Sequence, residues 1–405
     1  MEAGRRLVLA AMLVDTVGSG LVLPFELLFG TQLVGLSLPQ TGFGLSIGTG
    51  LAIAAGPISG GLVDRFGPVR IVVVANALAL GAVVGLLAIH GFIPFLVVTL
   101  VFAIAARTFW AAYSPLVAAF VEPGDLEAWF GRFRGARYVG LATGSAAAGL
   151  ALLAGRESGL RLVLLADGAS YAVAIGLYLV AAPKWMPVAS PSPPRDVGAK
   201  VSGYRAALSD GTNVTLAALN VLDTLLIVMP LFALPVFVLD QLHLPLWAPG
   251  VLAATGTLAV AISMFFAGRF NRGRPRIVLL ATAAALWSVG GLSMATGAAL
   301  PGIAIALLPV AMILFGVGEA LYAPIADAIP IVLAPANLGG RYSALHQLGW
   351  GISGTIAPAL TAALLALGSS AVWLGLSATA ALTAAGYLLL ERRVGARVGA
   401  AGTAA

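Results

Sequence analysis

The sequence contains no cysteine among its 405 residues, which excludes disulfides, thiolate metal sites and cysteine nucleophiles. Charge is also scarce, because only 9% of the residues are charged whereas soluble domains carry about 25%. The three histidines are widely separated, so no histidine metal site is predicted. No G-x-x-x-x-G-K-[ST] loop and no clustered catalytic set occur, so we expect neither an ATP-driven machine nor an enzyme, and no cofactor. So few charges cannot cover a soluble fold of this size, and most of the surface is expected to face lipid.

Long apolar runs occupy most of the chain. Hydrophobic residues make up 60% of it, and a helix needs about 20 mainly apolar residues to cross a bilayer. The first run follows Arg5 and Arg6 and continues to Phe29, too long for a cleaved signal peptide, so we interpret it as a span. Twelve runs qualify as transmembrane helices: 7–29, 43–62, 71–90, 94–120, 135–154, 160–182, 213–239, 248–267, 277–297, 302–325, 343–366 and 371–390.

The positive charges predict the orientation of these spans. All but three of the 22 Lys and Arg residues lie on the side of the N-terminus, which indicates that both termini are cytoplasmic. The exceptions are Arg156 and Arg161 on the other side and Arg107 within a span. The net charge of +6 is scattered over short loops without interleaved aromatic residues. The predicted partner is therefore the bilayer of the plasma membrane, and no nucleic acid.

The chain divides into two halves that repeat each other. A polar, proline-rich stretch at 183–211 has the composition of a solvated linker, with six apolar runs on each side. Asp15-Thr16 recurs as Asp223-Thr224, and Tyr113, Gly131-Arg132 and Gly140 recur at nearly the same offset as Tyr322, Gly340-Arg341 and Gly349. Chance in a sequence rich in Ala, Gly and Leu is the alternative. We predict two pseudo-symmetric six-helix bundles, 1–182 and 212–405, joined by a cytoplasmic linker.

The loop after the second run carries a recognisable motif. It reads Gly60-Gly61-Leu62-Val63-Asp64-Arg65-Phe66-Gly67-Pro68-Val69-Arg70, which resembles the G-x-x-x-D-R-x-G signature of the major facilitator superfamily. Pro68 and Val69 replace the two basic residues expected after the glycine. With twelve spans and a central linker, the resemblance covers the whole chain. It implies two six-helix bundles around a central cavity, alternating access and a functional monomer.

The signature suggests a conformational role. A carboxylate at the end of one helix can pair with an arginine or helix N-terminus of the other bundle in one state only. Glycine allows helices to approach closely. The residues predicted to gate the transporter are Gly60, Asp64, Arg65, Gly67 and Arg70. A plain positive-inside loop is the alternative.

Insertion of a charged residue at the centre of a transmembrane helix costs about 2.5 to 3.5 kcal/mol. Ionisable residues inside spans are therefore candidates for the transport machinery. Asp15 and Glu26 share span one, about three turns apart on nearly the same face, and Pro24 is expected to loosen the helix between them. Asp223 is the repeat mate of Asp15. Asp167 is either a second proton site or a helix contact. The residues predicted to couple protons are Asp15, Glu26, Asp223 and Glu319.

The remaining candidates line the expected cavity. Antiporters of the superfamily that exchange drugs for protons often use an acid in span one and an arginine in span four, and Asp15 and Arg107 look similar. A static pair of these two residues is the alternative. His346 is either a cavity residue or structural. The predicted substrate contacts are Arg107, Trp110, Tyr113, Tyr138, Asn220, Tyr322, His346 and Trp350, where the aromatic side chains have packing or lipid contact as the alternative.

The expected activity is proton-coupled export of small hydrophobic or cationic compounds. One feature departs from the resemblance: span five of such antiporters carries G-x-x-x-G-P-x-x-G-G, and here Ser145 and Ala148 replace the proline and a glycine. A proton symporter or uniporter for a sugar, organic acid or other metabolite is the second interpretation. A membrane receptor or scaffold without transport is a remote third.

Overall fold

The computed structural model describes residues 2–120, 126–181, 205, 207–271, 273–334, 339–368 and 370–400. Its long helices are numbered here by candidate span. They are α1 (Glu2–Val22), α2a (Leu38–Leu51), α2b (Ala55–Phe66), α3 (Pro68–Ala88), α4 (Phe92–Phe120), α5 (Leu126–Ala151), α6 (Arg156–Ala181), α7 (Gly211–Val236), α8 (Ala248–Asn271), α9 (Arg276–Ala299), α10 (Pro301–Leu333), α11 (Gly339–Leu367) and α12 (Ala371–Ala400).

The helices confirm the predicted all-α membrane architecture. In the described residues, eleven helices are long and apolar enough to cross a membrane, or twelve if the bent pair α2a and α2b forms one span. The pair bends by 52° between Ala54 and Ile58, where the sequence has Pro57. Proline lacks the N–H that an α-helix needs and clashes with the preceding turn, so a break at this position is expected.

Helix starts and distortions follow local sequence signals. Helix α2a begins five residues before the predicted run because Ser37 and Gln40 form a capping box, each side chain bonded to the other's backbone N–H. The chain after α1 forms a 3-10 turn at Leu23–Phe25 around Pro24 and a π-helix at Phe29–Leu33. A second π-helix, Phe237–Gln241, extends α7. Pro24 therefore interrupts the regular α-helix, as predicted.

The chain forms two compact units that do not coincide with the sequence halves. Unit 1 comprises Met1–Ser190, Leu231–Thr257 and Pro358–Ala366, and unit 2 comprises Pro191–Pro230, Leu258–Ala357 and Leu367–Ala405. Unit 1 thus includes the end of α7, the first half of α8 and the end of α11. Most of the predicted linker, 183–204, lies outside the described residues. The division into halves 1–182 and 212–405 remains a prediction.

Small residues allow α1 and α5 of unit 1 to pack backbone to backbone. A Cβ on Gly144 would lie 2.1 Å from the carbonyl oxygen of Val17, and one on Gly20 would lie 2.4 Å from that of Leu141. The Ser145 hydroxyl donates to the Gly20 carbonyl at 3.0 Å. Helices of membrane proteins commonly use such small side chains for close approach. This packing fixes the position of α1, which carries Asp15.

The other side of α5 contacts the first turn of α8, also within unit 1. A Cβ on Gly250 would lie 2.4 Å from the Ser145 carbonyl oxygen and 2.5 Å from the Cα of Gly149. Nearby, Arg156 at the start of α6 forms an ion pair with Asp240. A backbone contact therefore joins the C-terminal part of α5 to the segment 231–257, and an ion pair joins the start of α6 to the same segment.

Equivalent contacts occur in the two units at positions related by the sequence repeat. In unit 1, a Cβ on Gly140 would lie 3.0 Å from Cγ2 of Thr16. In unit 2, a Cβ on Gly349 would lie 3.3 Å from Oγ1 of Thr224. Since Thr16 matches Thr224 and Gly140 matches Gly349 in the repeat, the α1–α5 and α7–α11 crossings use the same pair of residue types.

Candidate functional site

The acid predicted in span one lies in the interior of unit 1. Asp15 on α1 is buried, with 9% of its surface exposed. The positive charge of Arg137 on α5 acts on its carboxylate. Arg137 lies near the start of the helix segment Gly135–Ala154, which qualifies as a membrane span and has the same bounds as the predicted run 135–154. Helix α5 begins before this span, at Leu126. Between Leu126 and Arg137 the only weak helix formers are Gly131 and Gly135.

Arg137 also contacts the aromatic side chains that were predicted to line the cavity. Its guanidinium carbon lies 4.7 Å from the ring centroid of Trp110 on α4. Tyr113 packs edge-on against Trp110 with ring centroids 5.3 Å apart, and Phe109 does so with ring centroids 5.6 Å apart. An arginine over an indole face is a cation–π contact. Arg137 therefore lies over one ring of this aromatic cluster, and its charge also acts on the carboxylate of Asp15.

Two further predicted cavity residues of unit 1 are placed on the same helices. Arg107 on α4 is only partly buried, and the structure supplies Arg137 rather than Arg107 as the cation that interacts with Asp15. Tyr138 follows Arg137 on α5 and is half-buried. The arginine of α4 was expected from the resemblance to antiporters that exchange drugs for protons, and the roles of Arg107 and Tyr138 in the cavity stay predictions.

Unit 1 contains a second buried carboxylate, which is even less exposed than that of Asp15. Asp167 on α6 is completely buried, and within the described part of the chain neither of its carboxylate oxygens has a hydrogen-bond partner. The neighbouring Ser170 hydroxyl donates to the backbone carbonyl of Asp167 at 2.8 Å. Gly18 of α1 packs directly on this group, since a Cβ there would lie 2.6 Å from Oδ1 of Asp167. Helix α6, which carries Asp167, packs against α1, which carries Asp15.

The repeat mate of Asp15 has a different environment in unit 2. Asp223 on α7 is completely buried, and its Oδ2 accepts a hydrogen bond from the hydroxyl of Tyr387 on α12. Sequence reasoning did not identify Tyr387, because nothing in an apolar run shows which side chain of another helix it will face. The carboxylate of Asp223 thus accepts a hydrogen bond from a neutral donor, whereas a positive charge, that of Arg137, acts on the carboxylate of Asp15.

A hydrogen-bond network surrounds Asn220 one turn before Asp223. Its Nδ2 donates to the backbone carbonyl of His346 at 2.9 Å, and its Oδ1 accepts from the hydroxyl of Tyr322 at 2.5 Å. Thr224 and Ser353 join their hydroxyls at 2.7 Å in the same region. His346 is 6% exposed, and neither ring nitrogen has a partner within the described residues. The structure therefore brings together three predicted cavity residues, Asn220, Tyr322 and His346.

The remaining predicted site residues are spread over both units. Glu26 is partly buried at the start of the short helix Glu26–Leu28, after the 3-10 turn. Glu319 is partly buried on α10, next to Gly318, whose Cβ would lie 2.5 Å from Nε1 of Trp287. Trp350 on α11 is 40% exposed. The glycine beside Glu319 thus serves a helix crossing.

The signature loop is described in full. Asp64 and Arg65 are exposed at the end of α2b, and the Arg65 guanidinium carbon lies 5.1 Å from the ring centroid of Phe66. Gly67 has φ +83° and forms the tight turn into α3, a conformation that favours glycine. Gly60 was expected to permit close helix approach, but no described atom lies within 4 Å of its Cβ position. Arg70 is exposed in the first turn of α3.

No group of three or more His, Cys, Asp or Glu residues in the described segments is arranged to hold a metal ion. Two residues that matter for the site, Arg137 and Asp167, were absent from the predicted coupling and cavity sets. The only available signal for Asp167 was its charge within an apolar run, which the sequence analysis noted without deciding its role.

Comparison with known proteins gives a consistent result. The family model described as Major Facilitator Superfamily matches residues 7–358. The fold resembles a solved nucleoside transporter, NupG, with TM-score 0.79 and 10% identity over 96% of this chain and 98% of that chain. It also resembles the peptide transporter POT in complex with sulfate, with TM-score 0.77 and 15% identity over 98% of this chain and 95% of that chain. No curated protein matches the sequence.

Proposed function

The chain belongs to the major facilitator superfamily, and from that premise we propose that it is a proton-coupled secondary transporter that exports small hydrophobic or cationic compounds by alternating access. Membership of the family and the membrane-spanning helices make it a multi-pass membrane transporter that acts on small molecules rather than an enzyme. The proposal includes location in the plasma membrane with both termini in the cytoplasm, because of the positive-inside distribution of Lys and Arg.

The observation that carries the proposal is the position of Arg137, whose guanidinium lies over the Trp110 ring and whose charge acts on Asp15. An organic cation attracted to that indole face would compete with the guanidinium for both the ring and the carboxylate. Proton and cationic substrate would then compete for Asp15. Such competition is the basis of exchange, because each species leaves only when the other binds.

The geometry also explains why hydrophobic substrates suit this region. The cluster of Phe109, Trp110 and Tyr113 offers three aromatic rings within 7 Å of one another. Aromatic faces bind flat apolar or cationic groups without requiring exact hydrogen-bond geometry. Trp110 is 44% exposed, so other side chains leave part of its surface uncovered.

A second candidate function rests on the network of unit 2. The ring nitrogens of His346 and the hydrogen-bonded pair of Asn220 and Tyr322 offer polar groups suited to a sugar, an organic acid or another metabolite. Structures with a similar fold include a nucleoside transporter and peptide transporters, whose named substrates are polar. Proton symport or uniport of a polar metabolite is therefore the alternative to export of hydrophobic cations.

The test is reconstitution into liposomes that contain a pH-sensitive dye. Ethidium serves as an aromatic cation, and uridine and dialanine serve as polar probes, each added under an imposed proton gradient. Movement of ethidium against protons supports export, and movement of a polar probe with protons supports the alternative. The Asp15→Asn variant should lose compound-linked proton movement, whereas Glu157→Gln should retain it because Glu157 is an exposed surface acid. Proton flux indifferent to every probe contradicts proton coupling.

A further inference from the structure

The connection between α8 and α9 in unit 2 carries four arginines and no acid. Arg269, Arg272, Arg274 and Arg276 lie within eight residues, and no Asp or Glu occurs anywhere in 241–318. Every other segment that brings Arg or Lys to the side of the N-terminus also contains at least one acid, namely Glu2, Asp64, Glu122, Asp196, Asp327 or Glu391. The α8–α9 connection therefore differs from all of these in having no counter-charge of its own.

The sequence repeat shows how this connection differs from the signature loop. Asp64-Arg65 of the signature corresponds to Asn271-Arg272, at an offset of 207 positions. The amide of Asn271 is neutral, so it cannot form the charged contact that we predict for Asp64. The second-half loop has thus lost the acid and gained arginines, which indicates a different role for its positive charge.

The last turns of α8 present one continuous exposed face. Ile262, Phe265, Phe266, Arg269 and Phe270 follow the i, i+3, i+4, i+7, i+8 spacing of a single helix face, and all five are exposed. Phe265 is 83% exposed, and its ring packs edge-on against that of Phe266 with centroids 5.2 Å apart. The candidate span ends at Ala267. The face therefore runs from the lipid-facing part of α8 to the membrane surface.

The turn after α8 brings a second arginine onto this face. Gly273 has φ +75°, and the backbone N–H of Arg274 donates to the carbonyl of Asn271 at 3.2 Å. The guanidinium carbon of Arg274 then lies 3.6 Å from the ring centroid of Phe270. A guanidinium stacked on a ring keeps its N–H groups at the edge, where they can bind an anion. The basic surface of α8 is defined here as Phe265, Phe266, Arg269, Phe270 and Arg274.

The arginines at this end of α8 and α9 have no anionic partner in the part of the chain that the structure describes. None of Arg269, Arg274 and Arg276 forms an ion pair there. Nη1 of Arg276 is buried and has no hydrogen-bond partner among the described residues. Arginine forms its strongest hydrogen bonds with carboxylate and phosphate oxygens, and a buried donor without an acceptor is unfavourable. The surface is therefore suited to an anion that another molecule supplies.

We propose that the basic surface of α8 binds a phospholipid with an anionic headgroup. The phosphate contacts Arg269 and Arg274, and the acyl chains pack on Phe265 and Phe266. A soluble phosphate would use the two arginines alone, whereas a lipid also covers the exposed rings that continue the same face into the membrane. Each arginine near an anionic membrane surface strengthens binding about five-fold. This inference needs no transported compound, so it holds or fails separately from the proposed function.

Lipid selectivity at this surface can be measured with the full chain in liposomes. The chain has no cysteine, so Ile262→Cys supplies a single site for a bimane label on the exposed face of α8. Lipids with brominated acyl chains quench bimane on contact, and comparison of brominated phosphatidylglycerol with brominated phosphatidylcholine gives their relative affinity. We expect phosphatidylglycerol to be favoured on the order of 25-fold, about five-fold from each of Arg269 and Arg274.

Charge variants test which side chains cause the preference. Arg269→Gln and Arg274→Gln should each lower it about five-fold, and the double variant should remove it. Arg161→Gln is the matched control, because it removes one positive charge from an exposed arginine on α6 that pairs with Glu157. A preference that survives in the double variant, or that falls equally in Arg161→Gln, would overturn the proposal.

Two further measurements separate this surface from its alternatives. A bimane at Ile305→Cys, an exposed position in an apolar part of α10, should report no preference, and an equal preference there would mean that the anionic lipid is not bound at α8. Glycerol 3-phosphate added at constant ionic strength should leave the preference at Ile262→Cys unchanged. Its loss would assign the arginines to a soluble phosphate and refute lipid binding.

The salt dependence of the unsubstituted surface gives an independent test should the double variant not yield monodisperse protein. The screening length falls from about 30 Å at 0.01 M salt to about 3 Å at 1 M salt. The preference for phosphatidylglycerol at Ile262→Cys should therefore decrease over this range. A preference that stays constant would show that charge does not cause it, and the transport proposal would be unaffected.

Discussion

Replacement of Gly250 by alanine should shift the conformational equilibrium of the transporter away from the state described here. The new Cβ would lie 2.4 Å from the carbonyl oxygen of Ser145 and 2.5 Å from Cα of Gly149, both of which are backbone atoms. Backbone cannot move aside as a flexible side chain can, and added methyl groups in packed interiors cost about 1 to 3 kcal/mol. In the proposed alternating-access cycle this contact exists in one state only. The same free energy then corresponds to about a 5- to 150-fold change in population.

The absence of cysteine makes this shift straightforward to measure. A single cysteine introduced as Ala248→Cys would be a specific reporter, because Ala248 lies at the start of α8 and is 5% exposed. A membrane-impermeant maleimide should label this cysteine faster when Gly250→Ala is also present, since the contact opens more often. Labelling rates are measured in proteoliposomes without any substrate.

Gly81→Ala provides the matched control. It adds the same methyl group within helix α3, where no described atom lies within 4 Å of the Cβ position. Both changes raise intrinsic helix propensity by about the same amount, close to 1 kcal/mol. Any difference between the two variants therefore reports the contact with α5. Equal labelling rates in monodisperse preparations of the two would refute the role of the glycine contact.

Three further predictions concern other parts of the molecule. Tyr387→Phe removes the donor to the buried carboxylate of Asp223, and should lower the free energy of unfolding by about 1 to 3 kcal/mol, seen as a lower melting temperature; an unchanged value would show that the hydrogen bond is dispensable. Gly318→Ala places a Cβ 2.5 Å from the indole nitrogen of Trp287, so we expect a similar loss of about 1 to 3 kcal/mol and altered tryptophan fluorescence, and wild-type values for both would contradict the packing. Asp64→Asn should slow transport in liposomes while expression stays at the wild-type level, and an unchanged rate would remove Asp64 from the gating set.

Much of the architecture is predictable from the sequence because the bilayer imposes one strong rule. Segments that cross lipid must satisfy their backbone hydrogen bonds internally, so long apolar runs become helices. The break at Pro57 and the irregular turn at Pro24 follow from proline chemistry. The predicted run 43–62 was too short at its start because a polar capping box at Ser37 precedes the apolar residues.

The partners of the buried charges were less predictable. The resemblance to antiporters that exchange drugs for protons suggested Arg107 as the arginine that works with Asp15, but the charge that acts on Asp15 in the structure is that of Arg137 from the next helix. Helix rotation and the choice of neighbouring helix decide such contacts, and apolar periodicity is weak when several faces of a helix are covered. The same reason explains why Tyr387 was missed and why the role of Asp167 was left open.

The paired threonine–glycine contacts of the two units have a practical consequence. Thr16 with Gly140 and Thr224 with Gly349 place the same residue types at the crossings of the helices that carry Asp15 and Asp223, and Asn220 comes nearer still to Gly349. A gene that duplicates can preserve a scaffold in both copies while the chemistry of one copy diverges. Asp223 can therefore serve as an internal control for Asp15. A spectroscopic or kinetic measurement on a variant of Asp15 can be repeated on the matching variant of Asp223 in the same polypeptide.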